Sequence, residues 1–156
     1  TETRILECLG LERRNEVFSL LYMARSDCEQ PVRQRANITW KGLVYNSSRM
    51  LKSILDTLMH ALITSLSSKN RDKQEAASKS LGDLVKNAGQ FIIPKIVPIL
   101  KKGLSPAAAE SHDDAYKEGI ALGLAEVLEN AHPKLIENYE RDIIDAISMG
   151  ICDKLL

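Results

Sequence analysis

The stretch Leu81-Gly82-Asp83-Leu84-Val85-Lys86-Asn87-Ala88-Gly89 has two weaker copies in the same chain, and that recurrence constrains the fold more than any other feature. The upstream copy is Trp40-Lys41-Gly42-Leu43-Val44-Tyr45-Asn46-Ser47, and the downstream copy is Leu124-Ala125-Glu126-Val127-Leu128-Glu129-Asn130-Ala131. Aligning them brings Asn46, Asn87 and Asn130 into register, 41 and 43 residues apart. In each copy apolar residues at helical spacing precede an Asn placed where the helix should end.

A second, more apolar helix follows each Asn. Its apolar positions are Met50, Leu51, Ile54, Leu55, Leu58, Met59 and Leu62 in the first unit, then Ile92, Ile93, Ile96, Val97 and Leu100, then Leu135, Ile136, Tyr139, Ile143 and Ile147. The i, i+3, i+4, i+7 spacing buries one face of each. Two helices per roughly 40-residue unit is the size class of HEAT and armadillo repeats. The fold class expected is all-α: a right-handed α-solenoid of HEAT-type helix pairs, with approximate units 11–46, 47–88, 89–131 and an incomplete 132–156, about three and a half repeats. Both ends read as cut surfaces of a longer array. No segment alternates with a period of two, so no sheet is expected.

Taken in order, residues 1–9 read as the tail of a helix that Gly10 breaks. Glu12 to Arg25 reads as a helix with Val17, Phe18, Leu20, Leu21 and Ala24 on its buried side. Pro31 suits the first turn of the next helix, whose inner face is Val32, Arg33, Ala36, Trp40 and Leu43. Ser47 and Ser48 are the expected caps of the helix that follows. Gly89 supplies a stop, Pro94 suits a first turn, and Pro98 predicts a kink there or a helix that starts later. Leu104 to Tyr116 reads as an irregular acidic link, mobile in its Ser105 to Asp114 part. Pro133 opens the last outer helix, to about Ser148, and Gly150 to Lys154 reads as a turn into a further, truncated helix.

Charge excludes some functions and suggests others. The 156 residues carry 21 Lys and Arg and 21 Asp and Glu. That zero hides a split: residues 1–105 hold 17 basic and 10 acidic side chains, and residues 106–156 hold 4 and 11. A positive partner-facing part and an acidic end follow. No run approaches the ~18 apolar residues of a membrane span, and the start does not resemble a signal peptide. Cys8, Cys28 and Cys152 have no metal or redox spacing and read as reduced, buried thiols of a cytoplasmic protein. The sequons at Asn37 and Asn46 carry no weight without a secretory signal.

Catalytic chemistry has no foothold. His60, His112 and His132 are isolated, so no metal set forms. Gly119-x-x-x-Gly123 lacks the Lys-Ser/Thr and preceding strand of a phosphate loop, and its small residues suit close helix approach instead. No Ser/His/Asp set stands out, so no enzyme, cofactor or small-molecule substrate is expected. One constellation survives. With the buried stripe centred on Ala36, positions 34, 38, 41 and 45 project to the opposite side, at ~100° per residue. Their equivalents are Glu75, Lys79, Gly82 and Lys86, then Glu118, Leu122, Ala125 and Glu129. Lys41, Lys79 and Lys86 then share the concave face, flanked by Arg33 and Arg35, with Glu75 pairing Lys79 at i, i+4. These five cations are the candidate site for partner binding. In HEAT-type repeats an arginine placed like Arg33 also bonds to a neighbouring turn Asp.

Specific residues narrow the class. Arg13-Arg14-Asn15-Glu16-Val17, Leu21 to Asp27, Val32-Arg33-Gln34, Trp40-Lys41, Leu81 to Lys86 and Ile93 to Leu104 resemble the middle-to-late region of the general control non-derepressible protein one family. The resemblance covers roughly residues 13–130. It departs at Ser105–Tyr116, where the family has a shorter link, and at Asn46-Ser47-Ser48-Arg49-Met50. It implies a non-catalytic cytoplasmic HEAT scaffold in translational stress control, docking on ribosomes or ribosomal RNA. It also implies two protein partners: an ATP-binding-cassette protein, and the RWD domain of the initiation factor two alpha kinase activated in amino-acid starvation. The rival expectation is a HEAT scaffold that binds proteins or peptides in nuclear transport or phosphatase assembly.

Overall fold

A computed structural model of the chain describes residues 2–103 and 114–155. Among them seven helices follow one another: α1 (Glu2–Ala24), α2 (Gln30–Leu43), α3 (Ser47–Leu66), α4 (Arg71–Gly103), α5 (Asp114–Asn130), α6 (Pro133–Glu137) and α7 (Glu140–Leu155). The described residues contain no strand. The fold is an all-α helical repeat solenoid, as the two-helix period requires.

Local chemistry sets the helix ends. Gly10 takes φ +77° and ψ 167° and divides α1, a backbone region open to glycine. Pro31 sits in the first turn of α2, where a missing N–H has no intrahelical partner to lose. The cap of α3 is Asn46, not Ser47 or Ser48: its Oδ1 accepts from the Arg49 amide at 3.1 Å. Asn70 does the same for α4, accepting from Asp72 N and Lys73 N at 3.0 and 3.3 Å. Asn87 and Asn130 instead donate to the carbonyls of Asp83 and Glu126, both at 2.9 Å. The repeating Asn is thus a device for helix ends whose direction changes from copy to copy.

The expected stop at Gly89 is met within one residue: two helical arms of α4 meet at Ala88, whose φ −136° and ψ 25° are non-helical, and Pro98 brings no kink. Pro94 lies inside the second arm, not in a first turn. The last helix is divided, with Tyr139 N bonded to Ile136 O at 2.9 Å between α6 and α7, and α7 runs through Gly150 without a turn. Of the expected acidic link, residues 104–113 lie outside the described residues, and α5 is already helical at Asp114.

Helix α3 is the centre of the core. It packs on α1, on α4 and on α5. Its buried stripe, Met50, Leu51, Ile54, Leu55, Leu58, Met59, Leu62 and Leu66, is the one read from periodicity. Each such side chain contributes roughly 1.5–3 kcal/mol of apolar transfer. The second arm of α4 runs parallel to α3, with Lys52 Nζ 4.0 Å from the Phe91 ring centroid and Lys95 Nζ 2.7 Å from Asp56 Oδ1. On its other side Lys101 Nζ lies 2.9 Å from Asp142 Oδ1 of α7. The first arm of α4 packs on α5.

The expected side of α1 is buried only in part. Phe18 is buried, together with Ser19 and Tyr22, and Leu21 packs against the core, while Val17 and Leu20 are 42% and 62% exposed. Arg14 is buried too, its Nη2 3.1 Å from Ser53 Oγ of α3. Val32 and Leu43 lie further out than the inner-face reading placed them, whereas Ala36 and Trp40 are core. Cys8 is exposed, contrary to its reading as a buried thiol, because its arm of α1 precedes the Gly10 break; the side chain of Cys152 lies outside the described residues.

Candidate partner-binding surface

Trp40 fixes the orientation of the surface. It is 4% exposed and wedged edge-on against Phe18 and Tyr22, at centroid distances of 6.2 and 5.3 Å. The Arg25 guanidinium lies 4.9 Å from the Tyr22 ring centroid and 5.6 Å from that of Trp40. Its Nε donates to Asn37 Oδ1 at 3.0 Å. Tyr22 in turn donates to Asp83 Oδ2 at 2.8 Å, and Arg25 stands 3.9 Å from the same oxygen. One aspartate of α4 is therefore joined to α1, and through Arg25 to α2. Burial first, and then the Asp83 carboxylate, push the Tyr22 phenol far above its ordinary pKa. It stays a neutral donor at any physiological pH.

With Trp40 turned inward, its neighbours on α2 turn out. Gln34, Ile38, Lys41 and Tyr45 are all exposed, Ile38 at 63% and Tyr45 at 101%. On α4, Glu75, Lys79 and Lys86 are exposed, and Lys79 Nζ pairs with Glu75 Oε1 at 3.1 Å as the i, i+4 spacing requires. Gly82, read as the outward position between those lysines, is buried instead. A Cβ there would come within 2.6 Å of Glu126 Oε2 and 2.9 Å of Asn130 Nδ2. The acidic helix α5 reaches over this point, and Glu126 Oε1 also accepts from Ser78 Oγ at 2.7 Å.

The two flanking arginines separate. Arg33 is half-buried, and its Nη1 donates to the carbonyls of Asp27 and Cys28 at 2.7 and 2.8 Å. It braces the α1–α2 turn through backbone oxygens rather than through the Asp27 carboxylate. Arg35 is exposed beside a surface depression lined by Leu21, Pro31, Val32, Ala36 and Thr39. Lys41 and Arg35 stand on α2, which packs broadly only on α1, and Lys79 and Lys86 stand on the first arm of α4.

A further signal lies in the sequence between Glu29 and Asp56. That stretch has no acidic residue and five basic ones: Arg33, Arg35, Lys41, Arg49 and Lys52. Helix α2 and the first half of α3, up to Leu55, thus carry only basic charges, with Tyr45 at the corner between them. Counting charge over halves of the chain hides this run. Among the described residues no group of His, Cys, Asp and Glu is placed to hold a metal ion, and no helix is long and apolar enough to cross a membrane.

No family model matches the chain, and no solved structure matches it. Curated proteins do. The chain is 36% identical over 151 residues to the stalled ribosome sensor GCN1 of Homo sapiens. It is 36% identical over 152 residues to the eIF-2-alpha kinase activator GCN1 of Dictyostelium discoideum and 28% identical over 151 residues to that of Saccharomyces cerevisiae. Each match takes in 97% of this chain and 6% of the relative. The chain thus spans a small part of the length of the curated relatives it matches.

Proposed function

This chain matches a segment of the GCN1 family along nearly its whole length, and from that premise we propose that it is a non-catalytic HEAT scaffold segment in cytoplasmic translational stress control. It docks on ribosomes and supports activation of the eIF-2-alpha kinase. The resemblance adds the kinase's RWD domain and an ATP-binding-cassette protein as the protein partners. The observation that carries the reading is the match itself: 97% of the chain aligns with proteins named for ribosome sensing and kinase activation. The surface supports it. A ribosome presents phosphate, which attracts Lys and Arg without reading sequence, and Lys41, Lys79 and Lys86 are all exposed. Glu75 neutralises part of the Lys79 charge.

Co-sedimentation with ribosomes tests this. Reversing Lys41, Lys79 and Lys86 to Glu leaves stability within the ~0.5 kcal/mol usual for surface changes. It weakens pelleting with ribosomes and flattens the salt dependence by about one unit of slope for each phosphate no longer neutralised. Reversing Glu118 and Glu129 to Lys does not weaken it. A triple Lys→Glu chain that pellets as well as the original at moderate salt removes these lysines from the ribosome-facing surface.

A further inference from the structure

We propose that the α2–α3 corner is an RNA-binding point at which Tyr45 stacks on an unpaired base while Lys41 and Arg49 hold the flanking phosphates. This rests on the ribosome-docking reading above and names the chemistry recognised.

Three observations support it. The first is backbone geometry. Helix α2 ends at Leu43, Val44 is extended at φ −100° and ψ 109°, and its side chain is buried. Successive side chains of extended backbone point to opposite sides. Tyr45 is therefore thrown outward, and it is 101% exposed. The corner does not flex to withdraw it, because Asn46 is fixed by its bond to the Arg49 amide and Val44 N by its bond to Trp40 O at 2.8 Å.

The second is charge. Lys41 lies in the last turn of α2, four residues before Tyr45, and Arg49 lies in the first turn of α3 after it; both are exposed. They belong to the run between Glu29 and Asp56 that carries five cations and no acid. An aromatic ring bracketed by cations, with no carboxylate nearby in sequence, suits a nucleic-acid strand: the π-face takes any base and the cations follow the backbone.

The third is position within the repeat. Tyr45 aligns with Lys86 and Glu129, and both are exposed. Lys86 stands on α4, whose first arm is bonded to α1 and to α5. The position is thus exposed in all three copies, on a helix at Lys86 and Glu129 and just past a helix end at Tyr45. The depressions between α1 and α2 and between α3 and α4 do not include Tyr45, and a ring standing clear of the surface at 101% exposure suits an unpaired base.

The test uses the whole chain, a labelled single-stranded RNA, the same RNA annealed to its complement, and an acidic peptide. Tyr45→Ala is expected to weaken single-strand binding about ten-fold and to leave duplex binding unchanged. Tyr45→Phe keeps the ring and should bind as the original does. Lys41→Gln with Arg49→Gln weakens both RNAs and flattens their salt dependence. Single-strand binding that Tyr45→Ala does not change overturns the proposal. So does an equal loss for strand and duplex, or an acidic peptide whose binding, rather than that of RNA, depends on Tyr45. Ribosome pelleting of the unaltered chain separates the two failures: pelleting that persists while Tyr45→Ala has no effect sinks the stacking site alone, and no pelleting at all sinks the docking reading.

Discussion

Glycine shows at the residue scale how one side chain's absence can be required or idle. At Gly119 of α5 an added Cβ would press into the Leu66 carbonyl and the Ser67 amide. Both are backbone, so neither can rotate aside, and α5 would have to lift off the end of α3. At Gly42 of α2 nothing lies within 4 Å of the same added atom. Gly119→Ala should therefore destabilise by about 1–3 kcal/mol, as overpacking does. Gly42→Ala should stabilise by roughly 0.5–1 kcal/mol, because alanine loses less backbone entropy in a helix. Urea midpoints of the two variants check this, and equal shifts of one sign would contradict it. The sequence made half of the distinction legible. Gly119-x-x-x-Gly123 suggested close helix approach, and Gly123 also lies close, a Cβ there being 3.0 Å from Leu100 Cδ2. Gly82 was not legible. It looked like an outward position because periodicity locates a residue relative to its own helix, and Glu126 and Asn130 arrive from another one.

Helix α4 raises a question at the element scale, since two interior prolines leave it helical. Pro94 and Pro98 are both exposed and four residues apart, so they lie on one solvent-facing line. The carbonyls deprived of their donors, those of Gln90 and Pro94, belong to exposed residues, where water can serve them. The buried line, Ile92, Ile93, Ile96, Val97 and Leu100, keeps its packing. The bend falls instead at Ala88, one residue before the expected stop at Gly89. Periodicity placed the apolar stripes of α3 and α4 correctly because burial sets them. It found the breaks at Gly10 and beside Gly89 but not the division at Tyr139, because a helix end depends on which bonds its neighbours can supply. The α1 stripe failed in part for a related reason: Leu20 and Val17 are apolar but exposed, while Arg14 is buried against Ser53 and Phe18. Of the candidate surface, the exposed lysines were legible from spacing; the Tyr45 corner was not, since its meaning depends on a helix end. Pro98→Ala should restore one backbone bond and raise stability by about 1–3 kcal/mol, less the small loss from a freer unfolded chain. Thermal melting measures it, and a lower melting temperature would show that the proline is needed for the shape of the arm.

Repeat arrays can unfold piecemeal at the scale of the whole molecule, because each unit touches only its neighbours. This chain has features that oppose it. Its buried apolar residues form one cluster from Phe18 in α1 to Ile143 in α7. The two arms of α4 meet at Ala88 with no loop between them, so each arm is tied directly to the next. Asp83 joins the first unit to the second through Tyr22 and Arg25, and Glu126 joins α4 to α5 through Ser78. A chain coupled in this way should unfold in one transition. Trp40 is the only tryptophan, so its fluorescence reports the first unit alone, whereas far-ultraviolet circular dichroism reports every helix. In urea the two signals should share one midpoint and one slope. Asp83→Ala cuts the link between units and leaves Tyr22 and Arg25 without their partner. It should move the Trp40 transition to lower urea than the loss of helix. Trp40 signals that already precede helix loss in the unaltered chain would show that α1 and α2 form a separate unit and that the Asp83 link contributes little.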